Sequence, residues 1–185
     1  MLYTGKGDSG NTKLFNSGVG EGVGKDSDII EALGCVDELT SFLGLCKVHS
    51  RDAKLDLRSD SFASILEEVQ HGLFSVQAEI GGADKHISEE MLRKVEFWIA
   101  EIEKDLPPIT TFSLPGGTEI SALFDVSRTL ARRAERKVVS VNRQNPKMFS
   151  EFTIAYLNRL SSLLFALARL SNYKYDIKEE SPDYR

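Results

Sequence analysis

Apolar residues recur every three or four positions along five separate stretches of this chain. Each stretch is bounded by capping residues, glycines or prolines of the kind found at helix ends. The first predicted helix starts at Ser27 or Asp28, and the second ends at Gly81-Gly82. The third starts at Ser88 and stops at Pro107-Pro108. The fourth runs from about Thr118 to Val141, and the fifth from about Ser150 to Ser171. Because no stretch alternates with a period of two, the pattern predicts an all-α bundle of five helices.

The same pattern divides the chain into three parts. Residues 1–25 are rich in glycine, show no helical period and are predicted to form a loop. Residues 26–171 hold the helices and form a single domain together with that loop. Residues 172–185 are polar and are expected to fray. A length of 185 residues with 41% hydrophobic residues suits one domain with a real core.

Charge and cysteine content narrow the function classes. A net charge of -5 argues against general nucleic-acid binding. No stretch of about 18 apolar residues occurs and no apolar leader begins the chain, so we expect neither a membrane span nor secretion. Cys35 and Cys46 lie about 16 Å apart along one predicted helix, too far for a disulfide. These features favour a protein of the cytoplasm.

Two nucleotide-binding motifs are matched only in their letters. Gly5–Gly10 reads GxGxxG, but no buried strand precedes it and no helix begins inside it. Gly20–Lys25 approaches a Walker loop, but it is one residue short and Asp26 replaces the Ser or Thr. A glycine-rich loop can still turn backbone N–H groups toward phosphate, or it can be a flexible, solvated terminus. Three lysines add positive charge to it: Lys6, Lys13 and Lys25.

One side of the fourth predicted helix is rich in arginine. With Arg128 as origin and a turn of about 100° per residue, Arg132, Glu135 and Arg136 fall at about +40°, -20° and +80°. Arginine carries a fork of donors that matches phosphate oxygens. The alternatives are a solvated charged face or a nucleic-acid face, and the acidic balance disfavours the latter. Arg133 falls outside this arc and is expected to face solvent.

Three further segments have ordinary structural interpretations when each is taken alone. Asn158 on the fifth helix is either a surface polar group or a reader of a base or ribose edge. Asp37-Glu38 on the first helix reads as polar surface. Leu114–Gly117 reads as a turn that leads into a helix.

Taken together, the order and spacing of these segments resemble one family, the trimeric ATP:cob(I)alamin adenosyltransferases. The resemblance covers about residues 3–170. The segments that carry it are Tyr3–Thr12, Lys25, Gly34–Leu39, Leu114–Gly117, Arg128–Arg136 and Tyr156–Ser161.

This resemblance implies a five-helix bundle that forms a homotrimer with ATP between adjacent subunits. The N-terminal loop of one subunit is then expected to wrap the triphosphate through Thr4, Gly5, Lys6, Gly7, Asp8, Gly10, Thr12, Lys13 and Lys25. The neighbouring subunit supplies Arg132, Glu135, Arg136 and Asn158. Arg128 pairs with Asp37 across the interface and helps to order the site.

The implied reaction moves the 5′-deoxyadenosyl group of ATP to Co(I) of a reduced corrinoid, with Mg²⁺ as cofactor, and gives adenosylcobalamin and triphosphate. The implied catalytic set is Arg132, Arg128, Asp37 and Phe112. Phe112 displaces the lower cobalt ligand of the bound cobalamin, unless it is only a core or interface residue. The implied partners are a reductase and an adenosylcobalamin-dependent enzyme. The alternatives are a non-catalytic, regulatory ATP-binding bundle and a scaffold that docks an acidic protein.

Overall fold

Five α-helices form the molecule, as the hydrophobic pattern predicts. The computed structural model describes residues 2–18, 22–146 and 148–184. The helices are α1 (Asp28–Asp52), α2 (Phe62–Ile80), α3 (Glu89–Glu103), α4 (Glu119–Gln144) and α5 (Glu151–Lys174). Two antiparallel pairs of two-residue strands accompany them, β1 (Asn11–Thr12) with β2 (Val23–Gly24) and β3 (Asp56–Leu57) with β4 (Asp60–Ser61).

Side-chain caps fix where three of the predicted helices begin. Ser88, Thr118 and Ser150 each accept a hydrogen bond from the backbone N–H three residues further on, which satisfies a donor that the first helical turn leaves free. Ser27 occupies the same position before α1 but makes no such side-chain bond. The predicted starts are therefore correct, and three of them have a visible physical cause.

The core lies where α1 packs on α2 and α4, and where α5 packs on α3 and α4. Apolar side chains from all five helices are buried there, among them Phe62 and Phe124, whose ring centroids are 6.1 Å apart. Tyr156 is buried among them and donates to the carbonyl oxygen of Val69 at 3.4 Å. Within the described residues, none of the helices is both long and apolar enough to cross a membrane.

The segment from Ser50 to Asp60 is more than the polar connection that its composition suggests. Leu55 and Leu57 are buried, and the β3–β4 hairpin docks on α3, where the Trp98 indole N–H donates to Asp60 at 2.9 Å. Two-residue strands are too short to give a periodic signal. The sequence therefore indicates a connection here but not its structure.

The polar tail is also better ordered than expected. Helix α5 continues to Lys174, and the chain then returns along the segment that precedes α4. The backbone N–H of Leu114 donates to the Glu180 carbonyl at 2.7 Å, and the hydroxyl groups of Thr111 and Ser181 lie 3.0 Å apart. The expectation that these residues fray is therefore wrong for the tail up to Ser181.

Candidate functional site

A groove of about 600 Å³ opens on the arginine-rich side of α4. It holds Arg132, Glu135 and Arg136 from α4 and Asn158 from α5. The same four residues are the ones that the sequence assigns to one half of a nucleotide site. Further along α4 the groove is completed by Val139, Ser140, Arg143 and Gln144.

The charges in this groove suit a polyanion. Arg132 and Arg136 are exposed, and in the described part of the chain neither forms an ion pair. Glu135 accepts a hydrogen bond from the Asn158 amide at 2.8 Å. The Asn158 oxygen in turn accepts from Arg159 at 2.9 Å. The polar network therefore orients Glu135 and Asn158 and leaves the two guanidinium groups available for phosphate oxygens.

The position of Arg133 around the helix predicts that it faces solvent, but the structure gives it a partner. It forms an ion pair with Glu38 of α1, and this pair ties α4 to α1. The angle around a single helix gives the side on which a residue lies but not which neighbouring helix occupies that side. Arg133 therefore lies outside the groove, as its arc predicts, but it takes part in the packing between α1 and α4.

Arg128 and Asp37 are not joined within this chain. Arg128 lies 3.8 Å from Asp125, and its buried Nε has no hydrogen-bond partner among the described residues. Asp37 is exposed and accepts a hydrogen bond from the Gln77 amide at 3.5 Å. A buried N–H donor normally has a hydrogen-bond acceptor. A group from outside the chain can supply the acceptor that the Nε of Arg128 lacks.

The glycine-rich loop folds into two tight turns followed by the β1–β2 hairpin. Gly5 and Gly10 have φ angles of 67° and 82°, in the left-handed region that glycine tolerates. The N–H of Lys25 donates to the Gly10 carbonyl at 2.9 Å, and the Lys25 ammonium lies beside Gly7. Lys25 is thereby brought to the first turns of the loop, although 15 residues of sequence separate it from Gly10.

This loop is anchored to its own bundle at the end of α2. The N–H of Phe15 donates to the Gly81 carbonyl at 2.8 Å, at the end of α2. Residues 2–4, which precede Gly5 in the described part of the chain, form no strand, so the loop is not seen in the strand–turn–helix setting of a dinucleotide fingerprint. Gly20 and Glu21, within the rejected Walker segment, lie outside the described residues.

The loop and the groove are not bonded to each other within the chain. Across the described residues, no hydrogen bond or ion pair joins residues 4–13 to the groove residues of α4 and α5. Lys6, Lys13 and Lys25 are exposed. The chain therefore presents two separate surfaces for an anion.

Phe112 lies in an irregular segment between α3 and α4 and is 79% exposed. Its ring is one wall of a cavity of about 370 Å³, mostly apolar. The core interpretation of Phe112 is therefore wrong. The sequence did not indicate most of the other walls of this cavity, because they come from segments far from Phe112 in sequence: Phe165, Arg169, Tyr173, Ile177 and Glu179.

The rest of the described structure offers no built nucleophile or metal cage. Burial raises the pKa of the Cys46 thiol, which lies 3.2 Å from the Ser127 hydroxyl inside the core. A thiol in this setting stays protonated and out of reach of a substrate. Among the residues that the structure describes, no three carboxylate, histidine or cysteine side chains cluster as metal ligands.

The described residues thus form a helical bundle with an arginine-rich groove, a lysine-bearing glycine loop and a largely apolar cavity. The sequence profile of the cobalamin adenosyltransferases matches residues 2–171. The chain therefore belongs to the cobalamin adenosyltransferase family.

Individual relatives agree with this family. The chain is 35% identical to a corrinoid adenosyltransferase of Bacillus subtilis, over 95% of this chain and 89% of that protein. It is 38% identical to a cobalamin adenosyltransferase of Cupriavidus metallidurans, over 92% of this chain and 88% of that protein.

Solved structures with the same fold belong to the same family. A variant of the PduO-type ATP:corrinoid adenosyltransferase from Lactobacillus reuteri, complexed with cobalamin and ATP, superposes with a TM-score of 0.86 at 28% identity. That superposition covers 100% of this chain and 97% of the other. A further variant complexed with ATP gives a TM-score of 0.84 at 28% identity, over 98% of this chain and 100% of the other.

Proposed function

We propose that this protein transfers the 5′-deoxyadenosyl group of ATP to Co(I) of a reduced corrinoid. The products are adenosylcobalamin and inorganic triphosphate. The observation that carries this proposal is the groove in which Arg132, Glu135, Arg136 and Asn158 come together, with two guanidinium groups free to hold phosphate oxygens.

The proposed chemistry fits the side chains that the site contains. Cobalt supplies the electron pair that forms the Co–C5′ bond, while the bond from C5′ to the triphosphate oxygen breaks and triphosphate leaves with that pair. The metal of the substrate is the nucleophile, so no activated Ser, Cys or His is required. The task of the protein is to align C5′ with cobalt and to stabilise the charge that develops on the triphosphate.

Positive side chains of this protein perform the second task. We assign Arg132 to the triphosphate, together with Lys6, Lys13 and Lys25 of the loop. Thr4, Gly5, Gly7, Asp8, Gly10 and Thr12 complete the loop around the phosphates. Glu135, Arg136 and Asn158 are assigned to the remainder of ATP, where Glu135 and Asn158 already hold each other in position. Charge-assisted bonds of this kind are roughly twice as strong as neutral ones.

A magnesium ion is expected to arrive with ATP rather than to occupy a preformed cage. Magnesium in nucleotide sites is held mainly by phosphate oxygens and water, with one or two carboxylates. The lack of a carboxylate cluster among the described residues is compatible with that mode. When bound with ATP, the ion offsets negative charge on the triphosphate.

The site is proposed to be shared between subunits of a homotrimer. Among the described residues no bond joins the loop to the groove, and the buried Nε of Arg128 has no hydrogen-bond partner, although it lies 3.8 Å from Asp125. Both observations are accounted for if the loop of one subunit faces the groove of the next, and if Arg128 meets Asp37 across the interface. Light scattering at micromolar protein is expected to give the mass of three chains, and a monomer mass is incompatible with a shared site.

The proposed Arg128–Asp37 pair makes a specific prediction. Arg128→Ala and Asp37→Ala are each expected to weaken both trimer assembly and adenosyl transfer. The double variant is expected to lose little more than either single variant, because each change removes the same interaction. The check is a double-mutant cycle on the trimer dissociation constant, and additive losses would show that the two residues do not interact.

The proposed function is tested by triphosphate release that depends on reduced corrinoid. ATP, magnesium and Co(I)alamin together are expected to yield triphosphate and adenosylcobalamin in equal amounts, and ATP without corrinoid is expected to yield neither.

In parallel, ATP at 100 times its dissociation constant is expected to stabilise the fold by about 2.7 kcal/mol in a thermal-shift titration. Stabilisation by ATP without corrinoid-dependent triphosphate release would identify a non-catalytic nucleotide-binding bundle instead. No stabilisation by ATP would favour a scaffold.

The proposed reaction also implies which enzymes act before and after this protein, and in which compartment. Formation of Co(I) needs an electron, so a reductase acts before this protein, and an adenosylcobalamin-dependent enzyme uses the product. We place the protein in the cytoplasm, where the two buried cysteines remain free thiols.

A further inference from the structure

One nearly buried arginine connects the segment that carries Phe112 with the C-terminal tail. Arg169 lies on α5, and its side chain is 10% exposed. Its Nη2 donates to the carbonyl oxygen of Pro107 at 3.1 Å. Its Nε donates to the two carboxylate oxygens of Glu179 at 2.9 and 3.2 Å. A single guanidinium group therefore holds two irregular segments in place.

The tail holds the same segment at its other end. The Glu180 carbonyl accepts from the N–H of Leu114 at 2.7 Å, and Ser181 lies within hydrogen-bond distance of Thr111. Phe112 lies between the points held by Arg169 and by the tail. No helix or strand includes the segment, so these bonds are its main directional restraints.

Arg169 is also close to the ligand cavity in space. It lines the same cavity of about 370 Å³ as Phe112 and Glu179, and it lines a second cavity of about 620 Å³ that also includes Pro107 and Pro108. Pro107 and Pro108 are exposed, so the proline segment has little apolar packing of its own. Its position therefore depends strongly on the bond between Arg169 and Pro107.

We propose that Arg169 is a positioning residue that sets the placement of Phe112 over the corrinoid cavity. It acts through Pro107 directly, and through Glu179 and the tail. This inference rests on the proposed function and on the role that the family resemblance implies for Phe112, which is displacement of the lower ligand of cobalt. It adds a group outside the ATP site that controls the step at which Co(II) becomes reducible.

The physical chemistry of the side chain supports this role. A charge that is nine-tenths buried is tolerated only where partners satisfy it, and here every bonded partner is in the segment or the tail. The planar fork of arginine points donors in two fixed directions at once, which a lysine ammonium on the same stem does not reproduce. An interaction that served only to hold helices together would instead join Arg169 to a neighbouring helix.

The test uses Arg169→Met, which keeps most of the length and apolar volume but removes the donors. Activity is measured from Co(II)alamin with a reductant and, separately, from chemically prepared Co(I)alamin. We expect a loss of between about 10- and 100-fold from Co(II), and a far smaller loss from Co(I), because Co(I) has no lower ligand to displace. The EPR spectrum of the bound Co(II)alamin is expected to retain the coupling to the lower nitrogen ligand that the unchanged enzyme removes.

Two further variants keep the proposal falsifiable. Glu179→Gln lies outside the helices, so it leaves the bundle intact, and it is expected to show the same selective loss to a smaller extent. Arg93→Met, whose exposed ion pair with Glu89 is on α3 away from the cavity, is expected to leave both assays unchanged.

Equal losses in the two assays, with a lower melting temperature for Arg169→Met and no selective loss for Glu179→Gln, would return Arg169 to a purely structural role. Unchanged activity in both assays would overturn the proposal as well. A different result bears on the proposed function itself. If the unchanged protein gives no triphosphate from either cobalt state, the transferase activity fails before Arg169 is in question.

Discussion

Arg132→Ala is expected to lower the turnover number for adenosyl transfer by roughly 10²–10³-fold, the usual cost of removing a preorganised donor from developing negative charge. Arg132 is exposed on α4 and forms no ion pair among the described residues, so its truncation leaves neither a core cavity nor a stranded partner. The melting temperature without ligand is therefore expected to stay close to that of the unchanged protein. The measurement is triphosphate release at saturating ATP and Co(I)alamin.

The control for this prediction is Arg93→Ala, which removes an arginine of similar exposure from α3, outside the groove. It is expected to leave turnover unchanged. Arg132→Lys separates charge from geometry, because lysine keeps the charge but lacks the fork of donors that can hold two phosphate oxygens. Turnover of Arg132→Ala equal to that of the unchanged protein would remove Arg132 from the leaving-group site.

Local signals in the sequence are enough to place the helices and one half of the site. Caps such as Ser88 and Ser150 act within a single turn, so four consecutive residues carry the information. The groove on α4 is also local, because Arg132, Glu135 and Arg136 share one arc of one helix. Its partner Asn158 came from the family resemblance, and the structure brings it to Glu135.

Contacts between distant segments could not be obtained in the same way. The pair of Arg133 with Glu38 depends on which helix packs beside α4, and helical angle alone leaves that open. The tail was expected to fray because its composition is polar. Its order comes instead from a few specific bonds, such as that of Glu180 to Leu114, between residues far apart in sequence. Polar composition does not reveal such pairings.

Phe112→Ala is expected to separate the redox step from the transfer step. Starting from Co(II)alamin, we expect a large loss of activity, whereas the reaction from prepared Co(I) is expected to lose far less. Removal of the lower ligand lowers the energy of the cobalt orbital that accepts the electron, which makes reduction feasible. Once Co(I) exists it carries no lower ligand, so the aromatic ring has less left to do.

The exposure of Phe112 makes this experiment decisive. Truncation of a buried phenylalanine costs roughly 3–5 kcal/mol of stability and depresses every assay together. Phe112 is 79% exposed, so no such loss is expected and the melting temperature is predicted to change little.

Phe97→Ala on α3, 56% exposed and outside the cavity, is the matched control, and its activity is expected to be unchanged from either cobalt state. The quantity to compare is the loss from Co(II) divided by the loss from Co(I). A ratio near one for Phe112→Ala would mean that the ring contributes only to corrinoid binding or to an interface.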